Sequence, residues 1–177
     1  MKQQLFISAV GVYQPKVLSQ LASSVHDYGA TIVDCRMGLL GNETSITMLV
    51  SGSWDAIAKL EGMYSKLEKK LEMKVFMKRT EKRLPEKQRV PYSIEIVSIA
   101  KSDLINKVIE FLQKNEINVC EFYTNTYQNP YTDVTLLSIN IIVSIPSGTS
   151  ISLMRAEFLE FCDRLNLDAV MEPMKVF

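Results

Sequence analysis

Two short strand-to-helix stretches carry residue types that could hold a small charged ligand. In Ser98-Ile99-Ala100-Lys101-Ser102-Asp103 an ammonium and a carboxylate stand two positions apart, just ahead of an apolar helical repeat. Lys101 suits a carboxylate and Asp103 an ammonium, although Asp103 is equally well explained as a first-turn helix acid. Gly11-Val12-Tyr13-Gln14-Pro15-Lys16 lies at the same kind of junction, between a β-rich run and a helical pattern that begins near Val17. A strand-to-helix junction turns unpaired backbone N–H groups outward and favours an anion there. A plain turn accounts for the same residues.

Other chemistry is sparse. The chain has one histidine, His26, so a multi-histidine metal site is excluded. Cys35, Cys120 and Cys162 are widely spaced and form no CxxC pair, which reads as three reduced thiols in a cytoplasmic protein. Cys35 with His26 has the composition of a nucleophile–base pair, but Cys35 falls in an apolar strand and His26 near a helix end, so packing explains both. Asp34 and Glu121 read as outward positions on equivalent strands. No constellation of catalytic groups emerges, and neither an enzyme, a metal nor a cofactor is expected.

The elements around these residues follow from periodicity. Residues 5–12 are a short β-rich run; Val17, Leu18, Leu21, Ala22 and Val25 recur at helical spacing, and Gly29 stops the helix. Strands are expected over 30–37 and 43–52 about the Gly41-Asn42 turn. Ser53 is placed to cap a helix that buries Trp54, Ile57, Leu60, Met63, Leu67 and Leu71, and residues 73–80 close as a fourth strand. The order βαββαβ then restarts. Strands are expected near 93–99, 117–124 and 134–145, with a turn-rich connection over 125–133. Helices are expected on Leu104, Ile105, Val108, Ile109 and Leu112, and on Leu153, Met154, Phe158, Phe161 and Leu165. Residues 169–177 form an edge strand marked by Pro173.

The second half repeats the first. Val17 placed opposite Leu104 sets an offset of 87 residues, at which Leu21 meets Val108, Val25 meets Leu112, Ile32 meets Val119 and Asp34 meets Glu121. The expected fold is α+β: two ferredoxin-like βαββαβ modules, each a four-stranded antiparallel sheet with two helices on one face. Domains are expected over 1–80 and 92–177, with 81–91, a charged stretch holding Pro85 and Pro91, as linker. A module with one uncovered sheet face tends to pair with a twin, so a homo-oligomer is expected, with a ligand crevice at the seam.

At 177 residues the chain has equal totals, 20 each, of Lys+Arg and Asp+Glu. Zero net charge argues against direct nucleic-acid binding, and no apolar run is long enough for a membrane span. The balance hides a basic pole. Ten of the 20 basic residues lie between Lys66 and Arg89, a stretch that reads as a solvated face or as a dock for an acidic protein patch.

The junction at Gly11 and Pro15 resembles the ACT-domain signature, a strand ending in GxDxPG whose amides hold an amino-acid carboxylate; Tyr13 stands at its acidic position and Lys16 at its second glycine. The longer runs Ile32–Gly41, Met48–Ile57 and Val75–Thr80 resemble the glycine cleavage system transcriptional repressor family. That resemblance implies tandem ACT domains that sense glycine or another small amino acid. It also implies repression by contact with a LysR-type activator of the glycine cleavage operon, without DNA binding. The residues it implies for the ligand are Val12, Tyr13, Gln14, Pro15 and Lys16, the loop Ala100, Lys101, Ser102 and Asp103, and the strand-start polar residues Thr31 and Asn118. The alternative is an ACT-type interaction module that has lost ligand sensing, which the residues at 13 and 16 favour.

Overall fold

The computed structural model describes residues 2–82 and 88–174. The chain divides into two compact units, Met1–Leu84 and Pro85–Phe177. The first contains β1 (Gln3–Val12), α1 (Val17–Asp27), β2 (Thr31–Leu40), β3 (Glu43–Gly52), α2 (Trp54–Gly62), α3 (Tyr64–Leu71) and β4 (Lys74–Thr80). The second contains β5 (Arg89–Ile99), α4 (Leu104–Lys114), β6 (Asn118–Gln128), β7 (Thr135–Pro146), α5 (Ile151–Arg164) and β8 (Asp168–Pro173).

Strand order is β2-β3-β1-β4 in one sheet and β6-β7-β5-β8 in the other, and every neighbouring pair is antiparallel. The central strands alternate. Leu5, Ile7 and Ala9 of β1 and Ile46, Met48 and Val50 of β3 are buried toward the helices, and their intervening neighbours are half-buried on the other face. Ile94 and Ile96 of β5 with Ile139, Ile141 and Val143 of β7 repeat this in the second unit. Each of these side chains larger than alanine contributes about 1.5–3 kcal/mol by leaving water. The tandem ferredoxin-like fold expected from the sequence is therefore present.

The repeat holds in detail at the offset of 87. Val17, Leu21 and Val25 of α1 and Leu104, Val108 and Leu112 of α4 are all buried, and the two helices coincide in extent. β2 and β6 both shift register against their neighbours, between Ile32 and Asp34 and between Val119 and Glu121, so Val33 and Cys120 are the extra residues of equivalent bulges.

Several expectations need correction. The helix expected across 54–71 is two, divided at Met63 just after Gly62, a residue that weakens a helix interior. Trp54 is 63% exposed rather than core, because it opens α2 at the edge of the layer. Leu153 is 59% exposed, Leu18, Met37 and Met174 are also exposed, and α5 buries Met154, Phe158 and Cys162 instead. Residues 125–128 continue β6, which shortens the turn-rich connection. β5 starts at Arg89, inside the expected linker 81–91; residues 83–87 of that linker and 175–177 of the last expected strand lie outside the described residues.

Candidate functional site

The two strand-to-helix loops differ in sequence but share one backbone path. Tyr13 donates its amide to Asn42 O at 3.2 Å, and Ala100 donates to Thr135 O at 3.0 Å, tying each loop to the neighbouring β-hairpin. Val17 N donates to Gln14 O and Gln20 N to Lys16 O; Leu104 N donates to Lys101 O and Lys107 N to Asp103 O. Lys16 and Asp103 are the N-caps and make no side-chain cap hydrogen bond. The amides of Leu18 and Ser19, and of Ile105 and Asn106, find no backbone acceptor in their loops, which leaves first-turn donors of α1 and α4 for solvent or an anion.

Side chains around the loops are already engaged. Gln14 Nε2 donates to Glu72 Oε2 at 3.1 Å. Asp103 pairs with Lys107 at 2.5 Å along α4; this hydrogen bond, helped by Asp103's own amide, holds its carboxyl below the usual carboxylate range. Asp103 is thus the N-cap of α4 rather than a first-turn acid, and its i,i+4 pair with Lys107 accounts for its contacts without a ligand. Lys101 is exposed beside it. Gly11 also has a packing reason: a Cβ there would meet Met73 Cγ at 3.0 Å, Met73 Cα at 3.2 Å and Glu72 O at 3.3 Å, so the α3–β4 turn crosses close over β1.

The strand-start residues lie elsewhere. Thr31 is level with Ser51 and Gln4, eight residues before Val12 on β1, a separation of about 27 Å. Asn118 is level with Ser144 and Pro91, nine residues before Ala100, or about 31 Å. Within one module the expected site residues therefore occupy opposite ends of the sheet: Val12–Lys16 cluster at one end and Thr31 at the other, and Ala100–Asp103 stand likewise apart from Asn118. The crossover helix produces this, since it carries the chain back to the end where the first strand began.

The remaining reactive groups are scattered. Cys35 and Cys120 are exposed and Cys162 is buried, all as free thiols. Burial, with a smaller push from Asp163, raises the Cys162 thiol to about 12. Burial and then Asp34 push Cys35 upward too, which opposes thiolate chemistry. The His26 ring faces solvent next to Asp27. Among the described residues no group of three or more His, Cys, Asp or Glu is placed to hold a metal ion, and no helix is long and apolar enough to cross a membrane. Sequence reasoning missed one polar cluster: Arg79 donates three hydrogen bonds to Glu61, at 2.7, 2.9 and 3.1 Å, with its guanidinium 5.7 Å from the Trp54 ring centroid. The signal was Trp54 itself at a helix start.

The loop geometry and the βαββαβ order meet in one family description. Residues 3–78 match the ACT-domain family model. They form an ACT domain. The second unit repeats the ACT topology strand for strand. Over 164 residues the chain is 28% identical to the glycine cleavage system transcriptional repressor of Escherichia coli strain K12, covering 92% of this chain and 85% of that protein, with the same figures for the Shigella flexneri repressor. The resemblance read from the three sequence runs thus extends beyond the first ACT domain into the second unit. A crystal structure assigned to the glycine cleavage system transcriptional repressors shares 24% identity and 99% coverage of both chains, with a TM-score of 0.72. An unknown protein from Galdieria sulphuraria shares the fold at a TM-score of 0.80 and 17% identity, covering 99% of this chain and 100% of that one.

Proposed function

We propose that this chain is a negative regulator of transcription that responds to a small amino acid, glycine first, and acts by contact with a LysR-type activator of a glycine cleavage operon rather than on DNA. The observation that carries the reading is the similarity to the glycine cleavage system transcriptional repressor across 92% of this chain, through both units. The first-turn amides of α1 and α4 suit a carboxylate, and Lys101 adds a cation beside one of them. Because the loops and the strand-start residues Thr31 and Asn118 stand at opposite ends of each sheet, a ligand touching both kinds of residue needs a second module, in keeping with an oligomer. Glycine has five heavy atoms, and at a ceiling of about 1.5 kcal/mol each its affinity stops near the micromolar range, a strength suited to sensing an abundant metabolite. To switch the protein, glycine must bind the partner-bound and free states unequally.

A second reading, an interaction module without ligand sensing, is favoured by the engagement of Gln14 with Glu72 and of Asp103 with Lys107. Co-purification from cell extract, with and without glycine, tests the regulatory reading. Capture of a LysR-type regulator whose yield changes with glycine supports sensing; glycine-independent capture supports the second reading. Recovery of no such regulator contradicts both.

A further inference from the structure

Among the described residues β4 pairs only with β1, and β8 only with β5, so each is a sheet edge whose outward backbone groups have no strand partner. Such an edge is a template for another strand. The two edges are equivalent in the repeat and opposite in charge. Lys74 and Lys78 flank Phe76 on the helix-free face of β4, and Asp168 and Glu172 flank Val170 on the helix-free face of β8. Phe76 is 56% and Val170 49% exposed. None of the four charged residues makes an ion pair among the described residues. The contrast runs through the whole units: residues 1–84 hold 12 basic and 8 acidic residues, and residues 85–177 hold 8 and 12.

The backbone phase of the edges agrees. Val75 donates its amide to Glu68 Oε1 at 3.1 Å, away from β1, so the outward residues of β4 are Val75, Met77 and Arg79. Met174 donates its amide to Pro91 O at 3.1 Å, so Glu172, Val170 and Asp168 face β5, and Met171 and Ala169 face outward.

We propose that β4 of one copy pairs antiparallel with β8 of a second copy, with Val75 opposite Met171 and Met77 opposite Ala169 as the hydrogen-bonded pairs. That register sets Lys74 against Glu172, Phe76 against Val170, and Lys78 against Asp168. All three fall at non-hydrogen-bonded positions, where facing side chains come closest. The direction is set by the layers: when equivalent edges join with their helices on the same side, the strands run antiparallel. Pro173 falls opposite Met73 and ends the ladder, because it has no amide to donate. Glu68 yields the Val75 amide to the Met171 carbonyl. The contact joins unlike surfaces, so each copy carries both halves of it. It stands independently of the proposed regulatory function.

The test is the mass of the full chain by sedimentation or light scattering across a concentration series, with circular dichroism to monitor folding. The wild type associates beyond its 20.1 kDa monomer. Lys74→Glu/Lys78→Glu and Asp168→Lys/Glu172→Lys each weaken association about tenfold or more while melting like the wild type. Mixing the two variants restores association, as does the chain carrying all four changes. A wild type that stays monomeric, reversals that leave association unchanged, or a fourfold swap that fails to restore it overturns the pairing.

Discussion

Lys16 and Asp103 hold the same backbone conformation, φ −100° and ψ −2° at the first, φ −99° and ψ −6° at the second, although one is a cation and the other an anion. Each caps its helix by backbone alone. The two ACT-type loops are therefore one structural device carrying different side chains. In the second loop Lys101 is the exposed cation, and Asp103 turns back onto Lys107.

Gly11 separates packing from ligand binding. Gly11→Ala forces the added Cβ into Met73 and the Glu72 carbonyl, so the first unit loses about 1–3 kcal/mol of stability, read as an earlier thermal transition. Amino-acid binding, measured well below that transition, stays at the wild-type value. A variant that melts normally but binds less would place Gly11 in ligand contact instead.

The helix start at Ser53 offers a contrast between adjacent residues. Ser53 accepts a hydrogen bond from Ala56 N at 3.2 Å, and Ser53→Ala costs about 1 kcal/mol in denaturant unfolding. Trp54→Ala, despite the larger side chain removed, costs less than Phe158→Ala, for which about 3–5 kcal/mol is expected; Trp54 is 63% exposed and Phe158 is 1% exposed. Equal losses for the two aromatics would contradict the burial.

Those residues also show what the sequence made legible. The period-2 alternation of β1 and β3 and the 87-residue repeat come from burial and covalent order, which pattern reading captures, and even the bulges at Val33 and Cys120 keep the repeat. Trp54 was misplaced because helical spacing alone does not say where a helix layer ends. The break at Met63 had a local signal in Gly62, overridden by the apolar spacing on either side. The separation of Thr31 from Val12 follows from the direction of α1, yet motif matching alone groups the two residues. The edge charges of β4 and β8 acquire meaning only once strand order is known.

Thiol reactivity divides by burial. At pH 8 a disulfide reagent titrates Cys35 and Cys120 in the native chain, and Cys162, held protonated up to about 12, reacts only on unfolding. Three fast thiols would indicate that α5 opens readily.

Glu61 links stability to acid. Arg79's hydrogen bonds hold its carboxyl below the ordinary value of 4.5, so the pair's stabilisation is present above that value and is lost as pH falls through the lowered one. Glu61 is partly exposed, and the effect amounts to about 0.5 kcal/mol. Glu61→Gln removes that part of the acid dependence of the first unit's stability below about pH 4.5. An unchanged pH slope would show that Arg79 does not hold Glu61 in solution.

Calorimetric titration of the full chain with glycine and with serine, alongside Lys101→Ala, bears most directly on the regulatory account. The account predicts saturable binding of a small amino acid in the micromolar-to-millimolar range, weakened in Lys101→Ala while the thermal transition is unchanged. Absence of heat from either amino acid at millimolar concentration, in a chain that is folded, would contradict amino-acid sensing.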